Sequence, residues 1–278
     1  MENVLRALVF DQQVSLTMID TTDIVKEGKR LHSLSPSSTL VLGKALSAMA
    51  FMSACLKEQT GEISLSTQSD GTGGNIGISG NQALRLRGYI ENPDAQGTEE
   101  QVLGQSGALT IIRDDGYNRP FVGSCAFTGK DGIDGAFEEY FKTSEQLPTF
   151  LRTAVELNEK GECIFAGVAV LQPLPFADAE TIAKTKKVPL TDVLKSVQKQ
   201  GLQQATEIYF PMPRTAEQTR FAQYKCNCSR EYLTRVLVTL GKAQADNIIQ
   251  EDGEIKVHCH YCNSNYVFTQ DDVNELFK

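Results

Sequence analysis

Cys226-Asn227-Cys228 and Cys259-His260-Tyr261-Cys262, thirty residues apart, hold four of the chain's seven cysteines in its C-terminal fifth. Two close pairs separated by a foldable stretch can bring four thiolate sulfurs to one point, about 2.3 Å from a tetrahedral Zn²⁺. The same sulfurs can instead pair into two local disulfides. A site open to both states is a candidate sensor. The module that carries it, residues 223–278, has little apolar area to bury, and domains that small need a staple. Structural zinc supplies roughly 10–16 kcal/mol in small peptides, much of it as folding energy. Reduced thiols packed in a small core would leave the module without that support. Cys226, Cys228, Cys259 and Cys262 are therefore read as the ligands of one Zn²⁺. The C-x-x-C spacing closes a familiar ligand turn, whereas C-x-C is tighter and less usual.

Around the pairs, Tyr232, Val236, Leu237 and Leu240 mark an amphipathic helix that ends at Gly241. Ile255-Lys-Val257 reads as a strand entering the second pair, and Tyr266-Val-Phe268 returns from it as a hairpin. His258 and His260 flank Cys259; on a strand they point to the opposite face, which makes them surface residues rather than ligands. His32 has no acidic or cysteine neighbour in sequence and reads as a helix-surface residue. Cys55, Cys125 and Cys163 lie in apolar patterns and read as small core hydrophobes.

Residues 173–222 differ in kind. They hold five of the nine prolines (173, 175, 189, 211 and 213) and are rich in Gln, Lys and Thr. One short helix is expected there, capped by Thr191, with Leu190, Val193, Leu194 and Val197 on one face and Gly201 at its end. The segment reads as a partly helical, metastable linker that must lean on its neighbours.

Residues 1–172 show the pattern of an α+β domain. Val4 to Phe10 and Val14 to Met18 read as a hairpin across Asp11-Gln12-Gln13. Thr22 is the expected cap of a helix over Asp23 to Leu34, and an Ala-rich helix is expected from Ser38 to Lys57. Strand patterns follow from Glu62 to Phe127. A helix over Ile133 to Ser144 and a long strand over Glu162 to Leu171 complete the domain. The glycines at Gly71-Thr-Gly73-Gly74 have strands on both sides, so a turn is expected and not a phosphate cradle, which needs a helix after them. Asp114-Asp115 and Asp271-Asp272 read as turn or helix-start charges.

A net charge of −8 over 278 residues argues against a general nucleic-acid binder, which needs a basic face. The start, Met1-Glu-Asn-Val-Leu-Arg, lacks the basic-then-apolar layout of a signal peptide. The strongest apolar stretch, Thr39 to Leu56, contains Lys44 and falls short of a membrane span of about 20 residues. A cytoplasmic protein without membrane contact is expected, and in a reducing cytosol metal or redox chemistry suits the cysteines better than a disulfide framework.

Several motifs in order carry a resemblance over the whole chain. Lys225-Cys-Asn-Cys-Ser229-Arg-Glu, the Leu240-Gly241 helix end, Glu251-Asp-Gly253-Glu-Ile and Cys259-His-Tyr-Cys262-Asn resemble the zinc module of the 33 kDa heat-shock chaperone (33 kDa chaperonin) family. Leu86-Arg-Gly-Tyr-Ile90 with Asn92-Pro93, and Glu139-Tyr-Phe-Lys-Thr-Ser-Glu145-Gln-Leu-Pro148, are similar to that family's RGY strand and YF-x-x-SEQ-x-P helix end. The resemblance implies a non-enzymatic, ATP-independent holdase switched on by oxidation. By that resemblance Cys226, Cys228, Cys259 and Cys262 bind zinc when reduced. On oxidation zinc leaves, Cys226–Cys228 and Cys259–Cys262 pair, the linker loses structure and unfolded client proteins are captured, with homodimers in the active state. The chain departs from the pattern at His260-Tyr261, where an acidic-aromatic pair is common.

Two other classes compete. A zinc-ribbon module contacting nucleic acid or protein is disfavoured because residues 223–278 carry six Lys+Arg against eight Asp+Glu, before the four-thiolate site adds its own negative charge. A zinc hydrolase or thiol oxidoreductase would need an open coordination position or a βαβ setting for its C-x-x-C, and neither pattern is present.

Overall fold

The computed structural model describes residues 2–211 and 214–277, so Pro213 lies outside the described residues. The chain divides into two compact units, Met1–Lys225 and Cys226–Lys278. The first unit opens with the hairpin β1 (Val4–Val9) and β2 (Val14–Asp20), then α1 (Thr22–His32) and α2 (Pro36–Ala54). It continues through β3 (Glu62–Ser69), β4 (Ile76–Asn81), β5 (Arg85–Ile90), α3 (Glu99–Leu103), β6 (Gly107–Asp114) and β7 (Phe121–Phe127). Then come α4 (Gly132–Tyr140), β8 (Phe150–Leu157), β9 (Cys163–Pro173), α5 (Ala179–Lys186), α6 (Leu190–Tyr209), β10 (Thr215–Arg220) and β11 (Gln223–Tyr224). The fold is mixed α+β, as the alternation of patterns predicts.

Among the described residues the strands form two sheets in this unit, ordered β10-β1-β2-β9-β8 and β11-β5-β4-β3-β6-β7. Helix α2 is buried almost all round and shares one core with residues of both sheets, including Val4, Ile19, Val168 and Val170 of the first and Ile63, Ile78, Leu86 and Ile111 of the second. Its small residues make that possible: a Cβ at Gly43 would come within 2.9 Å of Val25. The helix begins at Pro36, two residues earlier than the sequence reading, because the Ser35 hydroxyl accepts from Ser38 N at 3.0 Å and proline suits the first turn. It ends at Ala54, short of Lys57. In α1 the N-cap is Thr21 rather than Thr22, without a side-chain cap bond.

Strand alternation gives the first sheet a second apolar face. Leu5, Ala7, Leu16, Met18, Ala169 and Leu171 pack there against Leu190, Val193, Leu194 and Val197 of α6. Burying each such side chain stabilises by about 1.5–3 kcal/mol. The segment 173–222 thus contains two helices and a strand paired with β1. The expected helix starts after Pro189, with Thr191 inside it, and ends as expected at Gly201, whose φ of +84° and ψ of 170° are non-helical; a second helical stretch, within α6, continues from there to Tyr209.

Five elements were not foreseen in the first unit's sequence pattern: α3, α5, β10, β11, and β8, an edge strand paired among the described residues only with β9. The helix expected to Ser144 is α at Gly132–Tyr140 and then a π-turn, Phe141–Glu145, where the Tyr140 hydroxyl donates to Glu145 Oε1 at 2.9 Å and Arg113 pairs with the same oxygen at 2.7 Å. The glycine run leads from β3 into β4 as a turn. A Cβ at Gly71 would lie 2.2 Å from the Val102 carbonyl oxygen, so glycine there serves close backbone packing.

Candidate metal centre

The second unit consists of α7 (Arg230–Leu240), α8 (Lys242–Asp252), β12 (Ile255–Cys259), β13 (Ser264–Phe268) and α9 (Gln270–Leu276). Helix α8 is an addition to the sequence reading. A small core of Leu237, Ala245, Ile249, Ile255, Phe268 and Val273 joins these elements. Arg230 ties the start of α7 to the hairpin: its guanidinium donates to the Val267 carbonyl at 2.7 Å, pairs with Asp272 at 2.7 Å and lies 4.4 Å from the Phe268 ring centre. Asp272 also closes the capping box of α9 with Thr269, a structural role for that acidic pair.

Local geometry aims the cysteines. Cys226 and Cys228 lie in extended chain just before α7, whose N-cap Ser229 accepts from Tyr232 N at 3.1 Å. Cys259 ends β12 opposite Ser264 of β13. The turn between them is closed by Asn263 N donating to the Cys259 carbonyl at 2.8 Å, with Asn263 in the left-handed region at φ +57°. That knuckle brings Cys262 back beside Cys259. All four sulfurs lie within 4.8 Å of one another and all four residues are half-buried. Cys226 Sγ is 3.7 Å from Cys259 Sγ, and Cys228 Sγ is 3.0 Å from Cys262 Sγ. A tetrahedral zinc with Zn–S near 2.3 Å holds its sulfurs about 3.8 Å apart. The donor set and its spacing therefore fit a metal ion, and all seven cysteines are unbridged.

The thiols respond unequally to their crowding. Burial pushes Cys228 up, although the Tyr266 hydroxyl 3.3 Å away opposes this, and burial also pushes Cys259 up. Burial acts against ionisation at Cys262 too, but the Ser264 hydroxyl at 3.3 Å, Cys228 and the Ser264 amide favour its thiolate and bring it down to about 7. Tyr266 is itself pushed up to about 12, chiefly by its bond to Cys228. The Cys262 thiolate is thus favoured beside Cys228 and Cys259, whose ionisation burial opposes. A divalent cation reverses that balance and allows all four to ionise.

The remaining sequence candidates fall elsewhere. His258, in β12, and His260, in the turn after it, are exposed and stand outside the cluster of four sulfurs. His32 is not isolated as its sequence neighbours suggested: its Nε2 lies 3.4 Å from the Tyr224 hydroxyl. Cys125 and Cys163 are buried and their thiols are pushed up by burial to about 11, while Cys55 is half-buried against the core. Tyr266 and Ser264 are the site residues that the motif reading missed. Their signal was the hairpin itself, which sets Ser264 opposite Cys259.

No helix among the described residues is long and apolar enough to cross a membrane. The family model described as Hsp33 protein matches residues 2–269. A 33 kDa chaperonin of Bacillus cytotoxicus is 36% identical, over 98% of this chain and 97% of its own. One from Bacillus cereus (strain B4264) is 34% identical with the same coverage. Among solved structures, the 33 kDa chaperonin (heat shock protein 33 homolog) of Thermotoga maritima superposes with a TM-score of 0.83 at 25% identity, covering 99% of this chain and 98% of that one. Four convergent thiols at the end of an α+β fold, and a sequence match running almost from end to end, have one common account: the chain belongs to the Hsp33 family of chaperones.

Proposed function

We propose that this chain is a redox-regulated, ATP-independent holdase, cytoplasmic and not an enzyme, that binds unfolded proteins and prevents their aggregation under oxidative stress. Residues 1–172 act as the chaperone domain, 173–222 as the linker and 223–278 as the switch. Its reduced form holds one Zn²⁺ on Cys226, Cys228, Cys259 and Cys262 and is inactive. When bound, zinc would offset half the charge of the four thiolates and clamp the two cysteine segments together. The observation that carries this reading is the convergence of the four sulfurs within 4.8 Å in a unit with a small core.

One thiolate attacks peroxide, breaking its O–O bond to give a sulfenic acid and hydroxide; the neighbouring thiolate then attacks that sulfur and expels a second hydroxide as the disulfide forms, both hydroxides taking up protons to become water. Each disulfide takes two electrons from two sulfurs, and peroxide accepts them to become water. Cys259–Cys262 closes across the knuckle, and Cys226–Cys228 closes a tighter, strained ring. With the donor sulfurs withdrawn, zinc is released, the small unit loses its staple, and the linker loosens. The apolar stripe of α6, buried at rest, then becomes available to unfolded clients, and the active form is a homodimer.

The test measures zinc content and suppression of a thermally unfolding protein's aggregation, before and after peroxide at mild heat. One zinc per reduced chain, lost as suppression rises, is expected; zinc loss without any gain in suppression would sink the switch. Peptide mapping of the oxidised chain separates the pairings. Cys226–Cys259 and Cys228–Cys262 bridges, which join the sulfurs 3.7 Å and 3.0 Å apart, would overturn the local assignment.

A further inference from the structure

Two of the chain's three histidines, His258 and His260, flank Cys259, and the proposed switch uses neither. They lie two residues apart, His258 in β12 and His260 in the turn that follows it, and both are exposed. Their ring centres are 5.1 Å apart, with the planes at 82°. Imidazole nitrogens bind zinc at about 2.0–2.1 Å, which places the centres of two rings sharing one ion about 4.5–5.2 Å apart. The separation in the chain falls inside that window; the rings stand edge to face, and a shared ion asks them to turn until one nitrogen of each converges.

A second observation concerns the state of His258. Its Nδ1 lies 2.9 Å from Asn265 Oδ1, its register partner on β13. In the tautomer where Nδ1 donates to that oxygen, the lone pair sits on Nε2. A ligating histidine held through its other ring nitrogen in this way is the usual supporting arrangement at metal sites. Lys256, two residues before His258 in β12, is paired with Glu254 at 2.8 Å, which offsets its repulsion of an incoming ion.

We propose that His258 and His260 form a second metal site, a surface port for a divalent first-row transition ion of the imidazole-preferring class, such as zinc or nickel. Two nitrogens and solvent complete its shell, so it binds more weakly than the four-thiolate centre and exchanges freely. Its position, one residue either side of a thiolate ligand, suits the loading or recapture of an ion at the neighbouring centre. That use depends on the proposed function; the binding itself does not.

Equilibrium dialysis of the full, reduced chain against buffered Zn²⁺ tests the site directly. The parent is expected to take up one equivalent at low free zinc and a second as free zinc rises. His258→Asn and His260→Asn should each retain the first equivalent and lose the second, and retention of the first shows that the unit remains folded. Asn265→Ala should keep both ligands and weaken the second equivalent by about tenfold. A parent that saturates at one equivalent overturns the site, as does a second equivalent that survives both histidine substitutions.

Discussion

Cys262 and Cys125 carry the same functional group in opposite surroundings. Hydrogen bonding at the knuckle brings the Cys262 thiol down to about 7, whereas burial pushes Cys125 up to about 11. Only the thiolate is a nucleophile, so in the reduced, metal-stripped chain at pH 8 most of Cys262 and only about 0.1% of Cys125 is reactive. Intrinsic nucleophilicity runs the other way and returns part of that difference, with a Brønsted slope of about 0.4–0.5. The net expectation is alkylation of Cys262 by iodoacetamide at least about tenfold faster than Cys125. Below pH 7 the Cys262 rate should fall with each unit as its thiol reprotonates, and the two should converge at about pH 9, where the ionised fraction of Cys125 has risen enough for its higher intrinsic nucleophilicity to offset the difference. Time-resolved mass mapping reads both rates; equal modification at pH 8 would mean that the knuckle does not activate its cysteine. These four cysteines were legible in the sequence because ligand chemistry depends on residue type and spacing. Ser264 and Tyr266 were not, because only strand register puts them beside the sulfurs.

β8 shows why some elements escape a sequence reading. As an edge strand it buries Leu151 and Thr153 most deeply, and a threonine at a core-facing position blurs the apolar alternation. Helix α8 escapes similarly, since Ala245 and Ile249 are its only buried positions. Helix α2 could be read because its run of small and apolar residues is buried on nearly every side. The edge of β8 is closed by a side chain: Asp134 of α4 accepts from Thr153 N at 3.0 Å and from its hydroxyl at 2.5 Å. Burial pushes the Asp134 carboxyl up, with Thr153 opposing. Removing the acceptor in Asp134→Ala leaves a nearly buried amide unpaired and should cost about 1–3 kcal/mol, seen as a lower urea midpoint at unchanged slope. Asp134→Asn keeps an acceptor and should cost much less at neutral pH. Because folding raises this carboxyl's pKa, its contribution to stability is present at low pH and lost as pH rises through the folded value. The parent should therefore gain on the Asn variant as the solution is acidified. A Cm difference between these two proteins that does not depend on pH would remove Asp134 from that role.

The two units rest on different physics. Met1–Lys225 has two sheets, a buried central helix and a second core under α6, all of it apolar packing within the unit. Cys226–Lys278 has six buried apolar side chains for five elements. Domains of this size seldom fold on packing alone, and structural zinc contributes roughly 10–16 kcal/mol where it is bound by small peptides. Removing metal with a chelator, in the presence of reductant so that no disulfide substitutes for it, should therefore unfold the second unit and leave the central core of the first intact. Amide hydrogen exchange followed by mass spectrometry resolves the two. Peptides from residues 226–277 should lose their protection, while those from α2, β2 and β9 should exchange at the rates of the metal-loaded chain. Returning one equivalent of Zn²⁺ should restore protection in the second unit. If that unit stays protected without metal, its small core is sufficient, and withdrawing the four thiolates could not by itself release the fold.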